Sequence, residues 1–363
     1  MRVLLLSVTC GEGHNTMAKA LKESFEKQNQ QVKIVQVFGY DDKRIKRENS
    51  LFLFACKYIP HIYDKVWNSL RKKNTRENLP SCLKKAYQYV EEQITEFKPD
   101  IIVATHNYGS TILSVMKKEG KLENVMTGAI LHDQVVCPFW EKSRRINYIF
   151  APYENTNKDL LFKGFRKDQI KITGIPVSDK FKNISLKEPE EFTVTLIGGG
   201  NAVGGMKKLV RSLADLPIKV VCINGHNKRS YNSVQKYIEE HNLTNIENLG
   251  FTSHVADIFS RSSVIVSRCG AGCFSEILAA GVPFITREKL IINEKLAQEF
   301  FEKAGCSLTM HSINDARKYV EMLLKNPAML EKMKENIKKF SKPNSTDNIV
   351  KFLITRQIFA RSK

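Results

Sequence analysis

Short apolar runs alternate with amphipathic stretches along most of the chain. Val3–Val8 is an almost unbroken apolar run, as expected of a strand buried on both faces of a parallel sheet. Asn15–Gln28 follows, with Met17, Ala18, Leu21 and Phe25 on one face of a 3.6-residue repeat, which predicts a helix. The same logic predicts strands at Val32–Phe38, Asp100–Ala104, Thr127–Leu131 and Tyr148–Ala151, and a helix over Leu83–Phe97. Residues 172–177 (ITGIPV) read as the last strand of this half with its turn. A polar, proline-containing stretch at 182–189 reads as a linker. Strand patterns then resume at Phe192–Ile197, Lys219–Ile223, Asn245–Leu249, Val264–Ser267 and Pro283–Ile285, and the chain from Ala316 reads as helical. Strands alternating with helices predict an α/β protein with two doubly wound, mostly parallel sheets.

Two strand–glycine–helix junctions stand out within this pattern. The first is Cys10-Gly11-Glu12-Gly13-His14, between the first strand and first helix. The second is Arg268-Cys269-Gly270-Ala271-Gly272-Cys273, with Glu276 on the helix that follows. Free amides at a helix start face an anion readily. The first loop lacks the third glycine of a dinucleotide fingerprint, and neither loop has the GK[ST] of a P-loop. His14 at the helix start is either a general base for a bound hydroxyl or a plain helix-capping residue. The amides of 270–273 suit a diphosphate. Glu276 suits two ribose hydroxyls, although a carboxylate early in a helix is also favoured by the helix dipole alone. A third glycine cluster, Gly198-Gly199-Gly200 with Gly204 and Gly205, would admit a sugar diphosphate. There is no DxD motif, so a leaving diphosphate would have to be stabilised by helix N-termini and by basic residues such as Arg268 or Lys207 rather than by a carboxylate-held metal.

At 363 residues, with 42% hydrophobic and 26% charged residues, the chain has enough material for two folded domains. No apolar run approaches the ~20 residues of a membrane-spanning helix. Met1 and Arg2 lead straight into the first strand, without a leader pattern. The eight cysteines form no CxxC pair, so a zinc site or disulfide framework is not expected, and a reducing cytosol fits. The net charge of +19 is concentrated: twelve Lys/Arg face three Asp/Glu between Lys43 and Lys85. Such a stretch is either a solvated face or a contact for an anionic surface. No helix-turn-helix, zinc or aromatic-sheet pattern supports specific nucleic-acid binding.

The ordered set of segments resembles the monogalactosyldiacylglycerol synthase and processive diacylglycerol glucosyltransferase group, and more distantly the peptidoglycan lipid-intermediate GlcNAc transferase. The segments are LLLSVTCGEGHNTMAKAL at the start, KPDIIVATH at 98–106, LHDQVVCPFW at 131–140, INYIFAPYE, ITGIPV, and the run from Leu249 to Ile285. The resemblance implies a GT-B fold, two Rossmann-like domains with a cleft between them. They would be an acceptor- and membrane-binding domain at 1–181 and a UDP-sugar domain at 190–340, with 341–363 a helix returning to the first domain. It implies an inverting transfer of a hexose, glucose or galactose, from a UDP-sugar to diacylglycerol. The enzyme would be cytoplasmic and peripheral on the inner membrane face, without a metal or other cofactor.

Carried over by resemblance, His14 is the base or acceptor-binding residue, and Asp133 is its rival or orients it; His106 sits near them. Gly11 and Gly13 line the first loop, and Gly198, Gly199 and Gly200 the diphosphate. Phe251 lies by the uracil, Arg268, Gly270, Gly272 and Cys273 hold the phosphates, and Glu276 holds the ribose. The family's QExxN motif for donor-sugar hydroxyls is represented by Asn293 and Glu294, with Ala297 in place of the asparagine. In this setting the aromatic and basic stretch 51–74 reads as an interfacial segment for anionic lipid. Two other readings stay open: GlcNAc-type transfer to a polyprenyl-diphosphate intermediate, and a catalytically silent UDP-sugar-binding protein.

Overall fold

A computed structural model describes residues 1–9, 13–41, 43, 60–71, 78–182, 184, 191–198, 205–267, 270–287 and 292–362. The chain divides into two compact units, each built on a six-stranded sheet whose pairings are all parallel.

The first unit holds β1 (Arg2–Ser7), β2 (Gln31–Gln36), β3 (Ile101–Ala104), β4 (Met126–Ile130), β5 (Tyr148–Ala151) and β6 (Ile170–Ile172), in the order β2-β1-β3-β4-β5-β6. Successive side chains of a strand point to opposite faces. Leu4 and Leu6 of β1, with Ile102 and Ala104 of β3, therefore join one core. Val3 and Leu5, with Ile101 and Val103, join the other. The first core is closed by α3 (Lys84–Phe97) and α4 (Asn107–Lys118) through Ala86, Val90, Ile112, Leu113 and Met116. Gly109 lets α4 lie close to the sheet, because a Cβ there would stand 3.1 Å from that of Ala104 and 3.3 Å from that of Leu6. The second core is closed by α1 (Gly13–Lys27) and by the last helix, α13 (Ser345–Arg361). Ile349, Val350 and Leu353 of α13 are fully buried there. Thr346 fixes the start of α13, its hydroxyl donating to the Val177 carbonyl at 2.6 Å and accepting from the Val177 amide at 3.0 Å.

The second unit holds β7 (Thr193–Ile197), β8 (Lys219–Ile223), β9 (Ile246–Leu249), β10 (Val264–Ser267), β11 (Phe284–Arg287) and β12 (Ser307–Met310), in the order β12-β11-β10-β7-β8-β9. One face packs on α6 (Met206–Leu213) and α11 (Ile313–Lys325) through Leu209, Val210, Leu213, Ala316, Val320 and Leu323. An aromatic group of Phe274, Phe284 and Phe301, with ring centroids 5.1–5.8 Å apart, ties α9 (Ala271–Ala280) and α10 (Ile292–Lys303) to β11.

Most strands fall within a residue or two of the positions read from the pattern. The last strand of the first unit does not. It is Ile170–Ile172, and Thr173–Val177 run on as non-strand chain, because Gly174 takes φ +87° and Pro176 has no amide to donate. β12 carried no apolar run to reveal it, since half of Ser307–Met310 is polar. Much of the predicted linker, and residues 44–59 and 72–77 of the basic stretch, lie outside the described residues. The described part of that stretch includes α2 (Pro60–Arg71), which buries Trp67 and exposes Ile62 and Val66, 59% and 53% accessible. Among the described residues, no helix is long and apolar enough to cross a membrane.

Candidate functional site

In doubly wound sheets ligands bind beyond the carboxyl ends of the strands, where the strand order reverses. In the first unit that point lies between β1 and β3. Three histidines gather beside it. His14 enters from the first turn of α1 after β1, His106 from the start of α4 after β3, and His132 from two residues past β4. The His14 ring centroid is 4.7 Å from that of His106 and 4.4 Å from that of His132, both edge-to-face.

Their hydrogen bonds define the tautomers. Nδ1 of His14 lies 2.6 Å from the carbonyl oxygen of Thr105. A carbonyl only accepts, so Nδ1 carries the proton and Nε2 the lone pair. Nδ1 of His106 accepts the amide of Tyr108 at 3.1 Å, capping α4, and its proton is therefore on Nε2. Burial holds the His14 ring well below the ordinary histidine range, and its two histidine neighbours add to that. Burial, then His132, lowers His106 to about 3. His14 and His106 are thus neutral at physiological pH, with the lone pair of His14 on Nε2.

Asp133 lies beside this group. Its Oδ2 accepts the Cys137 thiol at 2.9 Å and stands 3.6 Å from His132 Nε2. Nδ1 of His132 is buried and has no hydrogen-bond partner among the described residues. Under the cluster, Ser7, Thr9, Asn15 and Gln36 form a closed polar network that fixes the first turn of α1: Ser7 donates to Asn15 at 2.8 Å, and Gln36 donates to the same Asn15 oxygen at 2.9 Å. Among the described residues, no group of His, Cys, Asp and Glu is arranged to hold a metal ion.

In the second unit the strand order reverses between β7 and β10. Gly198 directly follows β7, and Gly270 caps α9 after β10. Among the described residues, no atom comes within 4 Å of where a Gly270 Cβ would be. Gly272 lies in the first turn of α9. Cys273 packs its sulfur 3.1 Å from the Ser267 hydroxyl, and burial pushes its thiol up to about 12, so it is a neutral, inert side chain. Glu276 sits about one and a half turns into α9, and burial raises its carboxyl to about 7. Phe251, two residues past β9, is 66% exposed although its ring stacks on His226, 4.3 Å away and inclined by 13°.

The predicted residues thus fall at two places. His14, Asp133 and Gly13 meet at the carboxyl edge of the first sheet. Gly198, Gly270, Gly272, Cys273, Glu276 and Phe251 lie at or near that of the second. Glu294 is in the first turn of α10, where Ala297 is buried. Gly11, Gly199, Gly200 and Arg268 lie outside the described residues, as does the side chain of Asn293. Sequence reasoning missed His132 and His226. A polar residue two or three places past a parallel strand was the available cue for both.

Residues 14–177 match the monogalactosyldiacylglycerol (MGDG) synthase family, and residues 195–349 match the glycosyltransferase family 28 C-terminal domain. The chain is 23% identical to the processive diacylglycerol beta-glucosyltransferase of Bacillus pumilus, covering 97% of this chain and 94% of that protein. It is 25% identical to chloroplastic monogalactosyldiacylglycerol synthase 3 of Arabidopsis thaliana, over 96% of this chain and 80% of that one. The crystal structure of Acinetobacter baumannii MurG superposes with a TM-score of 0.65 at 16% identity, over 98% of this chain and 99% of that one, a likeness of fold.

Proposed function

We propose that this chain, a glycosyltransferase whose residues 14–177 match the MGDG synthase family and whose residues 195–349 match the family 28 C-terminal domain, transfers a hexose from a UDP-sugar to the hydroxyl of diacylglycerol. The observation that carries the mechanism is the buried His14, whose Nδ1 proton is held by the Thr105 carbonyl so that Nε2 carries the lone pair. Nε2 takes the proton of the lipid hydroxyl as that oxygen attacks the sugar C1 in line. The bond from C1 to the diphosphate oxygen breaks, the anomeric centre inverts, and UDP leaves with the electron pair. Asp133 is engaged by Cys137 and stands beside His132, which suits an orienting role rather than that of the base.

The second unit would hold the donor. Amides from Gly270 and Gly272 at the start of α9 receive the charge that develops on the diphosphate, where the helix dipole favours it. Glu276 accepts the ribose hydroxyls, Phe251 stacks on the uracil, and Asn293 and Glu294 meet the sugar. Gly198–Gly200 line the diphosphate, with Arg268 adding charge. Gly11 and Gly13 shape the acceptor loop.

The acceptor is a membrane lipid, so the first unit must reach a bilayer. Ile62 and Val66 are one turn apart on α2, exposed within the basic stretch. They would enter the acyl boundary while neighbouring cations meet anionic head groups on the cytoplasmic face. The reading is tested by UDP release from UDP-glucose or UDP-galactose. Release that requires diacylglycerol in anionic vesicles supports it; release independent of the lipid contradicts it.

A further inference from the structure

Resting on the reading of the second unit as the UDP-sugar half, we propose that His226 is a positioning residue for the nucleotide base: it backs one face of Phe251 so that the pyrimidine stacks on the other. The two rings are nearly parallel, 13° apart at 4.3 Å, within the range of a stacked aromatic pair. Phe251 nonetheless stays 66% exposed, more than a ring covered on both faces would be. An apolar ring kept at the carboxyl edge of a parallel sheet, supported behind and open in front, is a platform for a flat ligand.

The support is rigid. Ile223 of β8 is in register with Leu249 of β9, so the two chains leave the sheet side by side. Asn224 is fully buried directly after β8, and its side chain donates to Asn248 Oδ1 at 2.8 Å and to the Leu249 carbonyl at 3.1 Å. It also accepts the Ser230 hydroxyl at 2.7 Å. Gly225 then takes φ +54°, which turns the chain sharply and sets its carbonyl 3.9 Å from the place of a Gly250 Cβ. Asn227 caps α7 (Lys228–Glu240) by accepting the Ser230 amide at 2.9 Å. His226 is therefore held between a pinned strand end and a capped helix. Its ring limits the orientations of Phe251 before any ligand arrives, and a pre-ordered stack costs less entropy on binding.

The test is the affinity of the full-length protein for UDP and for pyrophosphate, which lacks base and ribose, measured by calorimetry on wild type, His226→Ala and His226→Phe. The expected result is a loss of about threefold to tenfold in UDP affinity for His226→Ala, the scale of one aromatic pair. Pyrophosphate affinity should be unchanged, and His226→Phe should restore UDP binding because a phenyl ring also stacks. UDP binding by His226→Ala as tight as wild type, or tighter, overturns the proposal; a tighter complex would mean that the histidine occupies the place of the base. Equal weakening of both ligands also overturns it, since the histidine would then support the unit as a whole. Wild-type protein that binds neither ligand contradicts the donor reading itself, a separate and recognisable failure.

Discussion

The Thr105 carbonyl and the His14 ring meet in a 2.6 Å hydrogen bond that decides which nitrogen of the histidine is basic. Thr105 is fully buried directly after β3, and its amide is held by the Leu6 carbonyl of the neighbouring strand at 2.9 Å. The acceptor for Nδ1 is therefore as fixed as the sheet, and Nε2 is presented as a lone pair in a neutral imidazole.

His14→Ala should lower turnover by about 10²-fold or more, with little change in UDP affinity, if Nε2 is the base. Steady-state kinetics with varied lipid decide the matter. A rise confined to the KM for the lipid would assign His14 to acceptor binding. Because burial lowers the pKa of His14, the acid limb of kcat/KM that it governs should fall below pH 6.5.

His106 gives a stability prediction of definite sign. Its folded pKa of about 3 lies below the ordinary histidine value of 6.5, so between these values the unfolded chain binds more protons than the native one. The contribution of the neutral ring is complete above pH 6.5 and is lost as pH falls toward about 3. Urea midpoints recorded across that window should decline toward acid, and His106→Asn, which keeps a helix-capping acceptor, should flatten the decline.

Glu276 behaves oppositely. Its carboxyl is raised from 4.5 to about 7, so the native state binds more protons within that window and stability falls as pH rises through it. Ribose hydroxyls need the ionised acceptor. UDP affinity should therefore rise as pH is raised through about 7, and Glu276→Gln should bind UDP more weakly with that pH dependence gone. Titration calorimetry at pH 6 and pH 8 would show it; an unchanged slope in the variant would remove Glu276 from the nucleotide site.

The last helix makes a third kind of prediction. Leu353 is fully buried against the first sheet, although more than 220 residues separate it from β4. Leu353→Ala should cost about 2–5 kcal/mol of stability, the range for a large-to-small change in a packed core. Thermal denaturation should show the loss in the first unit, followed by its tryptophans, Trp67 and Trp140; a change below ~1 kcal/mol would mean that α13 docks only loosely.

Both sheets were legible in the sequence because buried parallel strands are short and nearly continuous in apolar residues, as in Val3–Leu6 and Val264–Val266. The starts of α1 and α9 were legible because a glycine between a strand pattern and a helix pattern marks the carboxyl edge. The histidine cluster was legible only in part. His14 lies in a glycine-rich loop and His106 was placed beside it only by resemblance, while His132 was missed; the three follow β1, β3 and β4, and their meeting depends on those strands being neighbours in space. No local pattern encodes that adjacency. His226 was hidden for a similar reason: its stacking on Phe251 follows from the register of β8 on β9. The strand misplaced at 172–177 shows the reverse case, where Ile172, Ile175 and Val177 read as a strand but Gly174 and Pro176 break the ladder.

Membrane contact through α2 predicts binding to anionic vesicles and little to zwitterionic ones at moderate salt. Ile62→Glu combined with Val66→Glu should abolish co-sedimentation with anionic vesicles while leaving UDP affinity intact. Equal binding of the wild type to both lipid compositions would contradict the electrostatic part.

The most direct test offers the protein diacylglycerol in anionic vesicles with UDP-glucose, UDP-galactose or UDP-GlcNAc in turn, and identifies lipid products by mass. A hexosyl-diacylglycerol formed by the wild type, and lost in His14→Ala, is the predicted result. No glycolipid from any donor, by a protein that still binds UDP, would contradict the account.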